Sequence, residues 1–207
     1  MALKRGYLIV AEGIDGAGKS THCRVLGESL ERKGYPVVSL REPTDGVWGR
    51  KIRKLLTAGR GGVSPDEELQ YFLNDRKEDV EKNIQPALQD HKVVVLDRYF
   101  YSTAAYQGAL GLDPETILRE NETFAPRPDL VLLFCLAPAK GLQRIQHSRG
   151  AFSSFEKEAY LERVRAIFES FTGPHIRRID ADRDRDRVHA EVAAAVLSVL
   201  EDPGRSP

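Results

Sequence analysis

Apolar residues gather in short runs at 7–11, 36–40, 93–96 and 130–136, with a shorter candidate run at 176–179. The runs read as continuous rather than alternating, as expected of strands covered by helices on both faces. Between them the apolar spacing becomes helical. Tyr160, Leu161, Val164, Ile167, Phe168 and Phe171 make one stripe, and Val188, Val192, Val196 and Val199 another. Strand-length and helix-length segments alternating in this way predict right-handed βαβ crossovers and a parallel sheet, an α/β fold. The Asp-Arg run at 182–187 predicts a solvated loop and helix start, and residues 202–207 a frayed tail. Two loops have the composition of mobile segments: 59–62, and 147–154 with its Gly, Ser and Arg.

The 207 residues suit one domain, 1–207, and the alternation shows no internal repeat. Hydrophobic residues at 41% and charged residues at 30% exclude a disordered chain. Thirty-one basic residues cancel 31 acidic ones, so the basic excess of a general nucleic-acid binder is missing. Any polyanion must instead meet a local cluster of cations. The longest apolar run, 130–137, is far short of a bilayer span, and the first residues hold no secretory apolar core. Cys23 and Cys135 fit no metal-ligand spacing and read as small buried hydrophobes. The expectation is a cytoplasmic protein with no membrane and no nucleic-acid partner.

Chemistry enters directly after the first run. Gly13-Ile14-Asp15-Gly16-Ala17-Gly18-Lys19-Ser20-Thr21 fits G-x-x-x-x-G-K-[ST], with a strand before it and a helix after it. Backbone N–H groups of such a loop and the helix N-terminus face the phosphates of a nucleoside triphosphate. Lys19 adds a charge near the β- and γ-phosphates, and Ser20 a hydroxyl for Mg²⁺. The third run ends in Asp97-Arg98-Tyr99. Asp97 there suits a Mg²⁺ shell, directly or through water, or a helix cap. No guanine-reading Asn-Lys-x-Asp is present, which disfavours a GTPase switch and leaves a small kinase.

Further segments join these two: Arg41-Glu42-Pro43, Phe72 with Arg76, Pro128-Asp129-Leu130, and Ile179-Asp180-Ala181 followed by Val188-His189. Together with Glu12 to Thr21 and Asp97 to Gly108 they resemble the thymidylate (dTMP) kinase family. The resemblance implies a P-loop NTPase three-layer α/β/α fold, a five-stranded sheet in the order 2-3-1-4-5, a lid around 147–154 and a homodimer. The implied reaction is Mg²⁺-dependent phosphorylation of dTMP to dTDP by ATP. A nucleoside monophosphate is already anionic near neutral pH, so the chemistry needs cations rather than a strong base. Lys19, Arg41, Arg98, Arg144 and Arg149 are on hand.

The resemblance also implies roles. Phe72 would stack on thymine, Arg76 would bond a base carbonyl, Thr103 would meet the base edge, and Gln107 would join the substrate-binding set. Tyr106 would pack where a 2′-OH would sit. Asp15 would accept from the 3′-OH and help hold Mg²⁺, Arg98 would bridge donor and acceptor phosphates, and Arg41 would meet the acceptor phosphate. Residues 13–21 would bind ATP, with Arg144 on adenine. Gly16 stands where some members place a catalytic arginine, so Arg149 of the lid would supply it. Core packing remains open for Phe72, as does carbonyl capping for Tyr106. One departure stands out: Thr44-Asp45-Gly46 replaces the family's common Gly-Gly-Thr. The rivals are a kinase for a related deoxynucleotide or nucleoside, and a nucleotide-binding regulator without transfer chemistry.

Overall fold

A computed structural model describes residues 3–146 and 154–201. Chain order gives β1 (Tyr7–Glu12), α1 (Lys19–Arg32), β2 (Val37–Arg41), α2 (Val47–Ala58) and α3 (Pro65–Asp79). A π-helical turn, Val80–Ile84, continues α3 into α4 (Gln85–Gln89). Then follow β3 (Val93–Asp97), α5 (Phe100–Gly108), α6 (Pro114–Glu122), β4 (Leu130–Cys135), α7 (Pro138–Gln146), α8 (Ser154–Ser170), β5 (Ile176–Asp180) and α9 (Arg185–Leu200). All strand pairings are parallel and the sheet order is β2-β3-β1-β4-β5, as expected.

Burial on both faces holds for β1 and β3 throughout and for most of β4, and fails at the two edges. β2 is half-covered, and β5 exposes Arg177, Arg178 and Asp180. An edge strand has a neighbour on one side only, so its outer positions tolerate charge. The Asp-Arg run behaves as expected: Asp184 caps α9, accepting from the N–H groups of Asp186 and Arg187. Cys23 is buried, Cys135 is half-buried, and both are free thiols. Among the described residues no helix is long and apolar enough to cross a membrane. The expectations for 147–153, including Arg149, and for the tail 202–207 lie outside the described residues.

Register positions the site. Arg41 and Ala11 both pair with Asp97, so β2, β3 and β1 end at one level. The ladder extends one step further, with Arg98 N–H donating to Ala11 O at 3.0 Å and Glu42 N–H to Asp97 O at 3.1 Å. Everything that follows these strands therefore opens onto one crevice at their carboxyl ends, where open parallel sheets bind ligands.

Candidate active site

The phosphate loop runs from the end of β1 into α1. Gly18, at φ +89°, precedes α1, and among the described residues no side chain caps that helix. Its first N–H groups are left for an anion. Gly16, at φ +80°, lies against α7: a Cβ there would stand 2.3 Å from Gly141 O. Position 16 can carry no side chain, and hence no arginine.

Lys19 is buried, and its Nζ donates to Ile14 O at 2.7 Å, holding the loop upon itself. Burial, then the neighbouring Arg98, lower its pKa to about 8. Beside it, the Ser20 hydroxyl donates to Asp97 Oδ2 at 2.5 Å. Asp97 Oδ1 is buried with no partner among the described residues. An unpaired buried carboxylate oxygen next to a phosphate-loop serine fits a Mg²⁺ shell, whose hard cation takes oxygen donors.

Arg98 follows β3 with φ +73°, an uncommon conformation for a residue with a Cβ. Its guanidinium pairs with Asp15, donates to Ser102 Oγ at 3.1 Å and lies 5.3 Å from the Tyr106 ring centre. Burial works against the Arg98 charge, yet Asp15 and other nearby acids hold it firmly protonated. Asp15 is half-exposed by surface area although the loop and α5 crowd it. That crowding favours its neutral acid, but Arg98 and then Lys19 prevail and keep the carboxyl below the ordinary range. The Asp15 N–H donates to the Tyr106 hydroxyl at 3.1 Å, and Tyr160 donates to Tyr106 O at 2.9 Å.

Glu12 had no assigned role in the sequence. Its buried carboxylate accepts from Tyr99 N–H at 2.9 Å, Ser102 N–H at 3.1 Å and Ser102 Oγ at 2.5 Å, so it caps α5 from β1. Burial pushes its pKa up to about 7 against those bonds and the charge of Arg98.

The residues expected on the acceptor side lie mainly on α3 and α5. Phe72 is half-buried and absent from the core cluster, leaving its ring available to a ligand. One turn on, Arg76 is 1% exposed and bonded to Glu42, Thr103 and Asn121. Gln107 is buried and donates to Glu68 Oε1 at 2.9 Å. Arg41 is exposed, its Nε 3.8 Å from Asp97 Oδ2. Asp45 points into solvent and pairs with Arg53 at 2.9 Å, which neutralises the extra carboxylate of the departed turn. Thr44 is locked by Asp75, donating to it from N–H at 2.8 Å and Oγ1 at 2.7 Å. At the opposite end of the crevice Arg144, on α7, donates to Ala181 O at 3.1 Å and Gly16 O at 3.5 Å. It thus spans the phosphate loop and the β5–α9 turn.

Asp15, Lys19, Ser20, Asp97, Arg98 and Tyr106 therefore meet in one place, and Arg76 meets Thr103 next to them. A phosphate-loop motif sharing its crevice with the cations Arg98 and Arg76 is the arrangement of a P-loop phosphotransferase. Residues 11–192 match the family model described as thymidylate kinase. A thymidylate kinase of Desulfotalea psychrophila is 47% identical over 202 residues, covering 97% of this chain and 99% of the relative. One from Xanthomonas campestris pv. campestris is 47% identical over 197 residues, 95% of this chain and 86% of the relative. One from Akkermansia muciniphila is 47% identical over 193 residues, 93% and 92% of the two chains. The chain belongs to the thymidylate kinase family.

Proposed function

We propose that this chain transfers the γ-phosphoryl group of ATP to dTMP, giving dTDP and ADP. The observation that carries the reading is Arg98, held between the phosphate-loop Asp15 and the α5 wall that bears Thr103 and Tyr106. From there it can touch both phosphates.

In the reaction an oxygen of the dTMP phosphate attacks Pγ as the bond from Pγ to the β–γ bridging oxygen breaks, leaving its electron pair on ADP. The acceptor phosphate has a second pKa of about 6, so no side chain need remove a proton. The protein's task is alignment and charge offset. Residues 13–21 hold the triphosphate, Lys19 exchanging Ile14 O for phosphate oxygens. Arg144 lies along the adenine end, Arg41 and Arg98 face the acceptor phosphate, and Gln107 belongs to the acceptor wall. Ser20 and Asp97 would hold Mg²⁺, with Asp15 helping. Bound there, the cation would neutralise charge building on the β- and γ-oxygens. Phe72 stacks on the base, Arg76 and Thr103 read its carbonyl edge, and Tyr106 excludes a 2′-OH. Arg149 completes the charge offset from the lid. A homodimer in the cytoplasm belongs to the same reading, carried by family membership.

The test is an ADP-release assay with ATP, Mg²⁺ and a panel of nucleoside monophosphates plus thymidine. Turnover concentrated on dTMP supports the reading. Strong turnover on thymidine or on a purine monophosphate instead would overturn the acceptor assignment, and ATP binding without turnover on any acceptor would overturn the kinase.

A further inference from the structure

The least expected feature of the acceptor side is how fully Arg76 is spoken for. Its Nε and Nη2 both donate to Glu42 Oε2, at 3.0 and 2.5 Å, while Nη1 donates to Asn121 Oδ1 at 2.6 Å and Nη2 also to Thr103 Oγ1 at 3.1 Å. The Tyr99 ring centre lies 5.1 Å from the guanidinium carbon. Partners thus arrive from four separate places: the turn after β2, the turn after β3, α5 and α6. Asn121 is itself oriented, because its Nδ2 donates to Ile117 O at 2.8 Å, which turns its carbonyl oxygen toward Arg76.

A guanidinium has five N–H donors. Four are engaged, and among the described residues the fifth, on Nη1, has no acceptor. Thr103 accepts from Arg76, and its own hydroxyl proton is donated to nothing among the described residues. Two unspent donors thus remain beside a buried cation, a pattern matched to a carbonyl oxygen and mismatched to an amino group. Nor does the ion pair use both carboxylate oxygens as a symmetric bidentate fork would: Glu42 Oε1 is buried with no partner among the described residues.

We propose that Glu42 and Asn121 are positioning residues that hold the Arg76 guanidinium in the single orientation presenting its free N–H to the carbonyl at the pyrimidine 4-position. The inference rests on the assignment of Arg76 as reader of the acceptor base. Neither residue touches the substrate; both act through Arg76. Rotation of the guanidinium about its own stem would break the Glu42 and Asn121 bonds together, so the pair converts a flexible side chain into a fixed probe. Burial disfavours the Glu42 charge and Arg76 opposes that effect only in part, leaving the carboxyl raised to about 8.

The experiment compares kcat/KM for dTMP with that for dCMP, which carries an amino group where thymine has the carbonyl. Asn121→Leu and Glu42→Gln should each lower the dTMP-over-dCMP ratio about tenfold or more, the loss falling on KM for dTMP more than on kcat, with KM for ATP held. Asn121→Asp keeps the acceptor oxygen for Arg76 but loses the donation to Ile117 O, so its ratio should fall between those of wild type and Asn121→Leu. If Arg76→Met collapses the ratio while Asn121→Leu and Glu42→Gln keep it, the positioning role is overturned and the base reader stands. If Arg76→Met leaves the ratio intact, the base-reading assignment itself falls. Cooperative melting is checked first for every variant, and Asn121→Ser replaces Asn121→Leu if the latter does not fold.

Discussion

Gly16 and Gly141 stand back to back: a Cβ on Gly16 would lie 2.3 Å from Gly141 O, and one on Gly141 would lie 2.5 Å from Asp15 O. Helix α7 therefore approaches the phosphate loop more closely than any side chain permits. The loop cannot host a transition-state arginine at position 16, so under the proposed mechanism that charge would come from another segment.

Arg149 is the expected source. Arg149→Ala should lower kcat about a hundredfold or more while changing KM for dTMP far less, because a cation that offsets charge on the transferring phosphoryl group acts on the transition state. Steady-state kinetics at saturating ATP decide it; an unchanged kcat removes Arg149 from the mechanism.

Lys19 should impose a pH limit. Its pKa is lowered to about 8 by burial and Arg98, so the free enzyme loses this ammonium in mildly alkaline solution. We expect kcat/KM for ATP to fall above pH 8, with the limb displaced upward in kcat because bound triphosphate favours the charged amine. Lys19→Arg, which stays protonated, should lack the limb even if slow; a limb that persists there belongs to another group. Lys19→Ala should cost turnover about a hundredfold or more with the far-ultraviolet circular dichroism unchanged.

Tyr106 joins two functions through one side chain, its hydroxyl accepting the Asp15 N–H and its ring flanking Arg98. Tyr106→Ala should relax preference for deoxy over ribo acceptors about tenfold. Equal kcat/KM ratios for dTMP over its ribo analogue in wild type and variant would refute a sugar-reading role.

Glu12 sets a pH dependence of stability. Its folded pKa is raised to about 7, above the unfolded carboxyl value of about 4.3. Its contribution to stability is then fully present below the unfolded value and is lost as pH rises through about 7. Glu12→Gln keeps an acceptor for the Tyr99 and Ser102 N–H groups without the buried charge. Its Tm should exceed wild type by a few degrees at about pH 8 and converge with it below about pH 4. A gain independent of pH would assign the effect to packing.

The central strands and the phosphate loop were legible because both write themselves locally. Unbroken apolar runs announce burial on two faces, and the spacing from Gly13 to Thr21 is contiguous. The edges were less so, because Arg177 and Arg178 face outward on a strand whose register is dictated by β4. Buried polar partners were illegible. Asn121 meets Arg76 across 45 positions, and an isolated asparagine in a helix gives no periodic signal of what lies opposite. Glu12 and Glu42 had a readable context, an acid directly after an apolar strand or next to Arg41, but their functions depend on which N–H groups the fold brings to them. The partner of Asp45 was equally hidden, because Arg53 stands eight positions along the chain and meets it at 2.9 Å only once α2 has formed.

The imidazoles of His22 on α1 and His189 on α9 stack at 6.2 Å, with Phe134 beneath His22 at 5.4 Å. The helix that begins with Lys19 is thus backed by one that emerges from the ribosome long afterward. A nascent chain extended only through β4 already carries the glycine-rich motif and the strands β1, β2 and β3 that α1 packs on, but not the outer helix that covers the far side of α1. The last helix to be made therefore closes the packing around one of the first.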